Sequence, residues 1–201
     1  MRVDFSPDDM GSRDFYKFLT SVVIPRPIAW VSTLSAEGIP NLAPHSFFTV
    51  ASTDPPIVQF TPTARKDSLN NVEATGEFVV NFASEDLFAE INGTGTNFPA
   101  DISEFDAVGL AMESSFTVRP ARVAESPAAL ECKLHRIVPV GNSWLVLGEV
   151  SHAVVNHEML DGKHPEARRL KPLARLGLNE WSRLGQIVTI DRIPYRDWPK
   201  S

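Results

Sequence analysis

Cysteine is all but missing from this chain of 201 residues. The single thiol, Cys132, rules out an intramolecular disulfide and makes a reducing, cytoplasmic setting the expectation. Long apolar runs are missing too: none reaches the ~18 residues a membrane helix needs, so no membrane association is expected. The first ten residues carry Asp4, Asp8 and Asp9 and have no apolar secretion-signal segment. Positive charge is in deficit. Nineteen Lys and Arg stand against 25 Asp and Glu, a net charge of −6, which argues against a nucleic-acid partner. Histidine is scarce, and His152, His157 and His164 do not have metal-ligand spacing, so no metal is expected. Asn92-Gly93-Thr94-Gly95 lacks the third glycine and the preceding strand of a dinucleotide fingerprint, and reads as a loop. Cys132 alternates with Leu130 and Leu134, the pattern of a core residue rather than a nucleophile. No Ser-His-Asp order can be assembled, and no catalytic side chain is assigned.

What is present is a globular composition, with 43% hydrophobic and 22% charged residues. Residues 1–14 are polar and read as an N-terminal arm. Phe15 to Leu19 fits a short helix with Asp14 as cap. Pro25 and Pro27 then force an extended entry into a strand over Ile28 to Leu34. The turn at Gly38 leads to a second strand over Asn41 to Ser52, and Ile57 to Phe60 forms a third. Asp67 fits the cap of a helix that Gly76 ends, and Phe78 to Phe82 is a strand of strong β propensity. A short helix is expected at Asp86–Ile91, and a compact turn or short helix at Glu104–Leu110. Ser115–Val123 and Leu130–Leu134 alternate as strands. Gly141-Asn142 marks a hairpin into Trp144–Val155, and Gln186–Asp191 fits a last strand. The helices are too short and too few to cover both faces of a parallel sheet, so a closed antiparallel barrel, mostly β with short helices, is the expected fold.

The candidate site lies between Pro25 and Phe82. Ser46, Thr49, Ser52, Thr61, Thr63 and Ser68 are small hydroxyl residues near strand ends, and Arg65 and Lys66 stand just before a helix start. Several donors, two cations and a helix N-terminus are what a phosphate requires. Each residue alone also fits ordinary turn or capping chemistry. Phe47 and Phe48 point to opposite faces of a strand, so one suits the core and the other a ligand ring or a second subunit. Arg26 sits in a rigid Pro-Arg-Pro turn, either solvated or at a site mouth. Arg175 lies in the apolar stretch Pro172 to Gly177, where a lone charge needs a reason.

The segments Pro25-Arg26-Pro27-Ile28-Ala29-Trp30-Val31-Ser32-Thr33, Asn41-Leu42-Ala43-Pro44-His45-Ser46-Phe47-Phe48, Asp54-Pro55-Pro56, Lys66-Asp67-Ser68 and Gly76-Glu77-Phe78-Val79-Val80-Asn81 occur in this order. With Glu104-Phe105, Gly109-Leu110 and Leu130-Glu131-Cys132, the set resembles the flavin reductase-like, FMN-binding split-barrel family, nearest its flavoredoxin-like group, over about residues 15–190. Residues 191–201 would then be a C-terminal tail. The resemblance implies a six-stranded antiparallel split β-barrel in a homodimer with FMN at the interface. NAD(P)H would be the reductant, and a flavin-dependent monooxygenase a possible partner. The implied activity is NAD(P)H:flavin reduction; the alternative is a non-catalytic FMN electron carrier. By position, His45, Ser46, Phe47, Phe48 and Thr49 would line the ring and ribityl chain. Ser52, Thr61, Arg65, Lys66 and Ser68 would approach the phosphate, Arg26 would close the site, and Arg175 would reach the flavin of the other subunit. The chain departs from the family's usual Arg-Leu-Gly-Gly and tyrosine at Leu178 and Trp181.

Overall fold

The computed structural model describes residues 1–199. Helix α1 (Ser12–Val22) is longer than the short helix expected at Phe15–Leu19, starts after Gly11 rather than Asp14, and ends before the Pro25-Arg26-Pro27 turn. The chain then enters β1 (Ala29–Leu34), and Gly38, at φ 90°, reverses it into β2 (Pro40–His45).

The single strand expected over Asn41–Ser52 is two strands. The chain breaks at Ser46-Phe47, and β3 (Phe48–Thr53) pairs with β4 (Pro56–Phe60) instead of continuing the first hairpin. Pro40 and Pro44 have no N–H to offer a neighbour, which suits β2 to a sheet edge. Helix α2 (Asp67–Thr75) packs on β1 and β2, and Gly76 closes it at φ 72°. Strand β5 (Glu77–Phe82), helices α3 (Phe88–Gly93) and α4 (Glu104–Val108), and the long hairpin β6 (Ala128–Val140) and β7 (Ser143–Val155) complete the frame. The two-residue turn Gly141-Asn142 joins that hairpin.

The main sheet is antiparallel, in the order β2-β1-β5-β6-β7-β4-β3. It has seven strands rather than the expected six, because the break at Ser46 makes one strand into two. Only residues 46 and 47 join its two edges, β2 and β3, and Phe47 C=O accepts from Thr61 N–H at 2.8 Å. The sheet therefore curls until its edges meet at one end, and the wall stays open along the rest of the seam. This is a split barrel. Val31, Phe60, Leu69, Phe78, Cys132 and Val146 fill its interior. Burial, helped by the charge of Glu131, pushes the Cys132 thiol up to about 12, so it packs as a small apolar residue. Gly148 lies against Phe78: a Cβ there would stand 2.2 Å from Phe78 Cζ.

Two expected strands are corrected. In Ser115–Val123 only Arg122–Val123 is extended and paired. The rest is a loop folded onto the fully buried Glu131, whose carboxylate accepts from Phe116 N (2.8 Å), Thr117 N (2.6 Å) and Thr117 Oγ1 (2.7 Å). Those bonds replace sheet pairing and hold this carboxyl below its usual pKa against the opposing effect of burial. Gln186–Asp191 forms no strand. No helix among the described residues is long and apolar enough to cross a membrane.

Candidate functional site

A cavity of about 520 Å³ opens at the seam. The end of β2 and the Ser46-Phe47 crossover form one wall, and residues 61–70, running from β4 into α2, form another. The loop 94–98 arches over them, and Tyr16 and Glu104 reach in from α1 and α4. Trp30 Nε1 donates to Thr94 Oγ1 at 2.8 Å and pins that loop to β1. Lys66 Nζ reaches across to Asn97 Oδ1 at 2.5 Å.

The start of α2 is the most polar part of this cavity. Its first backward bond is Asn70 N–H to Lys66 C=O, at 3.1 Å, and no side chain caps it. The N–H groups of Asp67, Ser68 and Leu69 therefore have no partner within the helix and carry the positive end of its dipole. Lys66 is the residue before the first turn, one position earlier than the expected cap at Asp67. Arg65 is exposed and turned outward, bound to Glu73 at 2.6 and 2.8 Å and lying 5.5 Å over the Trp144 ring.

Beneath the cavity runs a buried polar network. Glu104 is 5% exposed and accepts from Asn41 Nδ2 (2.9 and 3.0 Å) and Leu42 N (2.9 Å). Burial raises its pKa, and the bonds from Leu42 and Asn41 oppose the rise. Asn41 Oδ1 meets Ser68 Oγ and Thr33 Oγ1, each at 3.2 Å. Ser68 Oγ in turn lies 3.2 Å from His45 Nε2. The His45 ring packs on Phe60 at 4.9 Å, and burial, then the charge of Lys66, lowers its pKa to about 4.

Eight of the thirteen candidate residues singled out in the sequence line this cavity: His45, Ser46, Phe47, Thr61, Thr63, Arg65, Lys66 and Ser68. The other five stand elsewhere. Phe48 packs against the barrel core, leaving Phe47 for the cavity. Thr49 and Ser52 lie along β3, outside the cavity lining. Arg26 is buried and donates to main-chain carbonyls: Thr20, Val23 (3.0 Å) and Leu176 (2.8 Å), with Ser46 Oγ at 3.4 Å. It thus ties α1 and the segment around Leu176 to the barrel. Burial, then the charge of Arg175, lowers its pKa. Arg175 lies opposite Arg26 in register, 4.6 Å over the Trp181 ring, and donates to Leu178 C=O at 2.6 Å. Leu178 has φ 50°, the left-handed region where glycine is at ease.

Sequence reasoning missed Asn41, Glu104, Asn97 and Tyr16. Asn41 gave a signal, a lone amide inside an apolar strand. The other three enter through elements far away in the chain.

The geometry defines the class: a split antiparallel barrel whose seam cavity presents unpaired backbone donors and cations above a polar hydrogen-bonded network. The flavin reductase-like domain matches residues 21–173, and the chain belongs to the flavin reductase-like family. An uncharacterised protein of Aquifex aeolicus is 37% identical over 181 residues, covering 87% of this chain and 92% of that one. Nitrilotriacetate monooxygenase component B from Bacillus cereus superposes with a TM-score of 0.92 at 30% identity, covering 94% of this chain and 99% of that one. The 2-nitrobenzoate 2-nitroreductase NbaA of Pseudomonas fluorescens follows at TM-score 0.89 and 30% identity, covering 96% and 98%. These likenesses support flavin-related oxidoreductase chemistry.

Proposed function

We propose that the chain binds FMN in the seam cavity and passes a hydride from NAD(P)H to it, as a flavin reductase. One observation carries this reading: the uncapped start of α2, with Lys66 beside it, faces a cavity of about 520 Å³. A phosphate monoester suits three free N–H groups and an ammonium. Arg65 can join them by leaving Glu73, an exchange between exposed partners that costs little. Asp67 and Glu104 also line the cavity, so its carboxylates match the two cations in number and the unpaired N–H groups of the helix start tip the balance toward an anion. Phe47 and Pro44 offer flat apolar contact to a ring. When bound, the flavin itself supplies the hydride acceptor. The chain's part is to hold, orient and shield it, and a neutral His45 adds no competing proton transfer.

A homodimer belongs to the same proposal. Residues 184–193 make no hydrogen bond to the rest of the chain among the described residues, yet expose Val188 (78%) and Ile190 (92%). A second copy of this chain is the partner that would cover them. The likeness to component B of a two-component enzyme supports a further proposal, that reduced flavin goes to a flavin-dependent monooxygenase.

Titration of the purified protein with FMN, followed by flavin fluorescence, tests the site. The expectation is saturable binding, and reduction of the bound flavin within seconds of mixing with NADH or NADPH. No FMN binding refutes the proposal. FMN bound but reduced by neither nucleotide assigns the protein as an electron carrier.

A further inference from the structure

The polar groups beneath the cavity leave one another little choice of where their hydrogens point. Glu104 meets only donors, the Asn41 amide and the Leu42 N–H. Asn41 must therefore turn its NH₂ toward the carboxylate and its carbonyl oxygen away. That oxygen can only accept, so Ser68 and Thr33 must each donate to it. Thr33 is free to do so because Asn71 Nδ2 donates to Thr33 Oγ1 at 3.0 Å. Ser68 has a single hydrogen. With that hydrogen on Asn41, its oxygen can only accept from His45 Nε2. The neutral imidazole therefore carries its hydrogen on Nε2 and leaves Nδ1 bare. His45 Nδ1 has no partner among the described residues, is not sealed from solvent, and belongs to a ring that lines the cavity.

We propose that Glu104 is a positioning residue: acting through Asn41 and Ser68, it fixes the His45 hydrogen on Nε2, so that Nδ1 accepts a hydrogen bond from an N–H or O–H group of the ligand. The ligand half rests on the FMN reading, in which that group is a ring N–H or a ribityl hydroxyl. The same chain of bonds leaves the Ser68 hydroxyl no hydrogen for a phosphate, so Ser68 serves the anion through its backbone N–H.

The test is ¹⁵N NMR of the histidine-labelled protein at pH 7 without ligand, with His45 assigned by its loss in His45→Gln. The pattern of a neutral ring protonated at Nε2 is expected. In Glu104→Gln the new amide can donate to Asn41 Oδ1, which reverses the chain, so that Ser68 donates to Nε2 and the hydrogen moves to Nδ1. A reversed or mixed pattern is expected, whereas a purely structural role for Glu104 would not change it. Should that variant fail to fold, Ser68→Ala removes the acceptor for Nε2–H, and a mixed pattern is again expected. A wild-type ring protonated at Nδ1 or on both nitrogens overturns the proposal, as does an unchanged Nε2–H pattern in whichever of these variants folds. Adding FMN should move the Nδ1 resonance. FMN bound with Nδ1 unmoved overturns the ligand half alone, whereas failure of FMN to bind refutes the functional reading and leaves the hydrogen-bond chain standing on the ligand-free spectra.

Discussion

Acid should weaken this fold through His45. Burial, then the charge of Lys66, lowers the ring's pKa to about 4 in the native protein, against 6.5 for a free imidazole. Between those values the unfolded chain binds a proton that the native one refuses. The stabilising effect is therefore fully present above pH 6.5 and is lost as pH falls toward 4. At 1.36 kcal/mol per unit, linkage gives a loss of roughly 2.5 kcal/mol between pH 7 and pH 4.5. Water in the cavity screens part of the ring, so a loss of about 1.5–2.5 kcal/mol is the expectation. Urea unfolding at pH 7, 5.5 and 4.5 measures it, with His45→Gln as the reference that keeps a donor toward Ser68 but cannot titrate. The difference between the two proteins should shrink by that amount as pH falls. Parallel stability curves would refute the reasoning, since the charge of His45 would then find equal welcome in both states.

Four further outcomes follow from the geometry. Lys66→Ala should weaken FMN binding by about 1.5–3 kcal/mol, the range for a charge-assisted bond, as read by flavin fluorescence. Arg26→Ala leaves the carbonyls of Thr20, Val23 and Leu176 without their donor and should cost about 2–4 kcal/mol in urea unfolding. Leu178→Gly relieves a left-handed φ at an exposed position and should raise stability by roughly 0.5–1 kcal/mol, seen as a higher melting temperature. Deleting residues 185–201 should turn the proposed dimer into a monomer in sedimentation; an unchanged mass would remove the tail from that interface.

The sequence revealed what short-range chemistry controls. Proline placed the entry to β1, Gly141-Asn142 placed the long hairpin, and alternation around Cys132 placed it in the core. It concealed what depends on contacts distant in the chain. The apolar run through Phe47 and Phe48 reads as unbroken strand, because nothing local says that β3 belongs to the opposite edge of the sheet. The loop at Ser115 alternates like a strand, but a buried carboxylate in β6 takes its N–H groups. At the site, Lys66, Ser68 and the helix start were visible together because they are neighbours in sequence. Glu104 reaches Asn41 only through the packing of α4, 63 positions later in the chain. Arg26 read as either a solvated charge or a mouth residue, because a charge between prolines gives no hint of the three carbonyls it binds.

The two-residue crossover at Ser46-Phe47 also constrains how this architecture can change. Lengthening it would release both margins of the sheet at once and let the wall slide apart. The arch of residues 94–98, by contrast, is fastened to the barrel at Trp30 and Lys66, and its remaining hydrogen bonds are local, to the end of α3 and within itself. Descendants of this chain that accommodate bulkier guests should therefore carry their insertions in the arch and leave the crossover untouched.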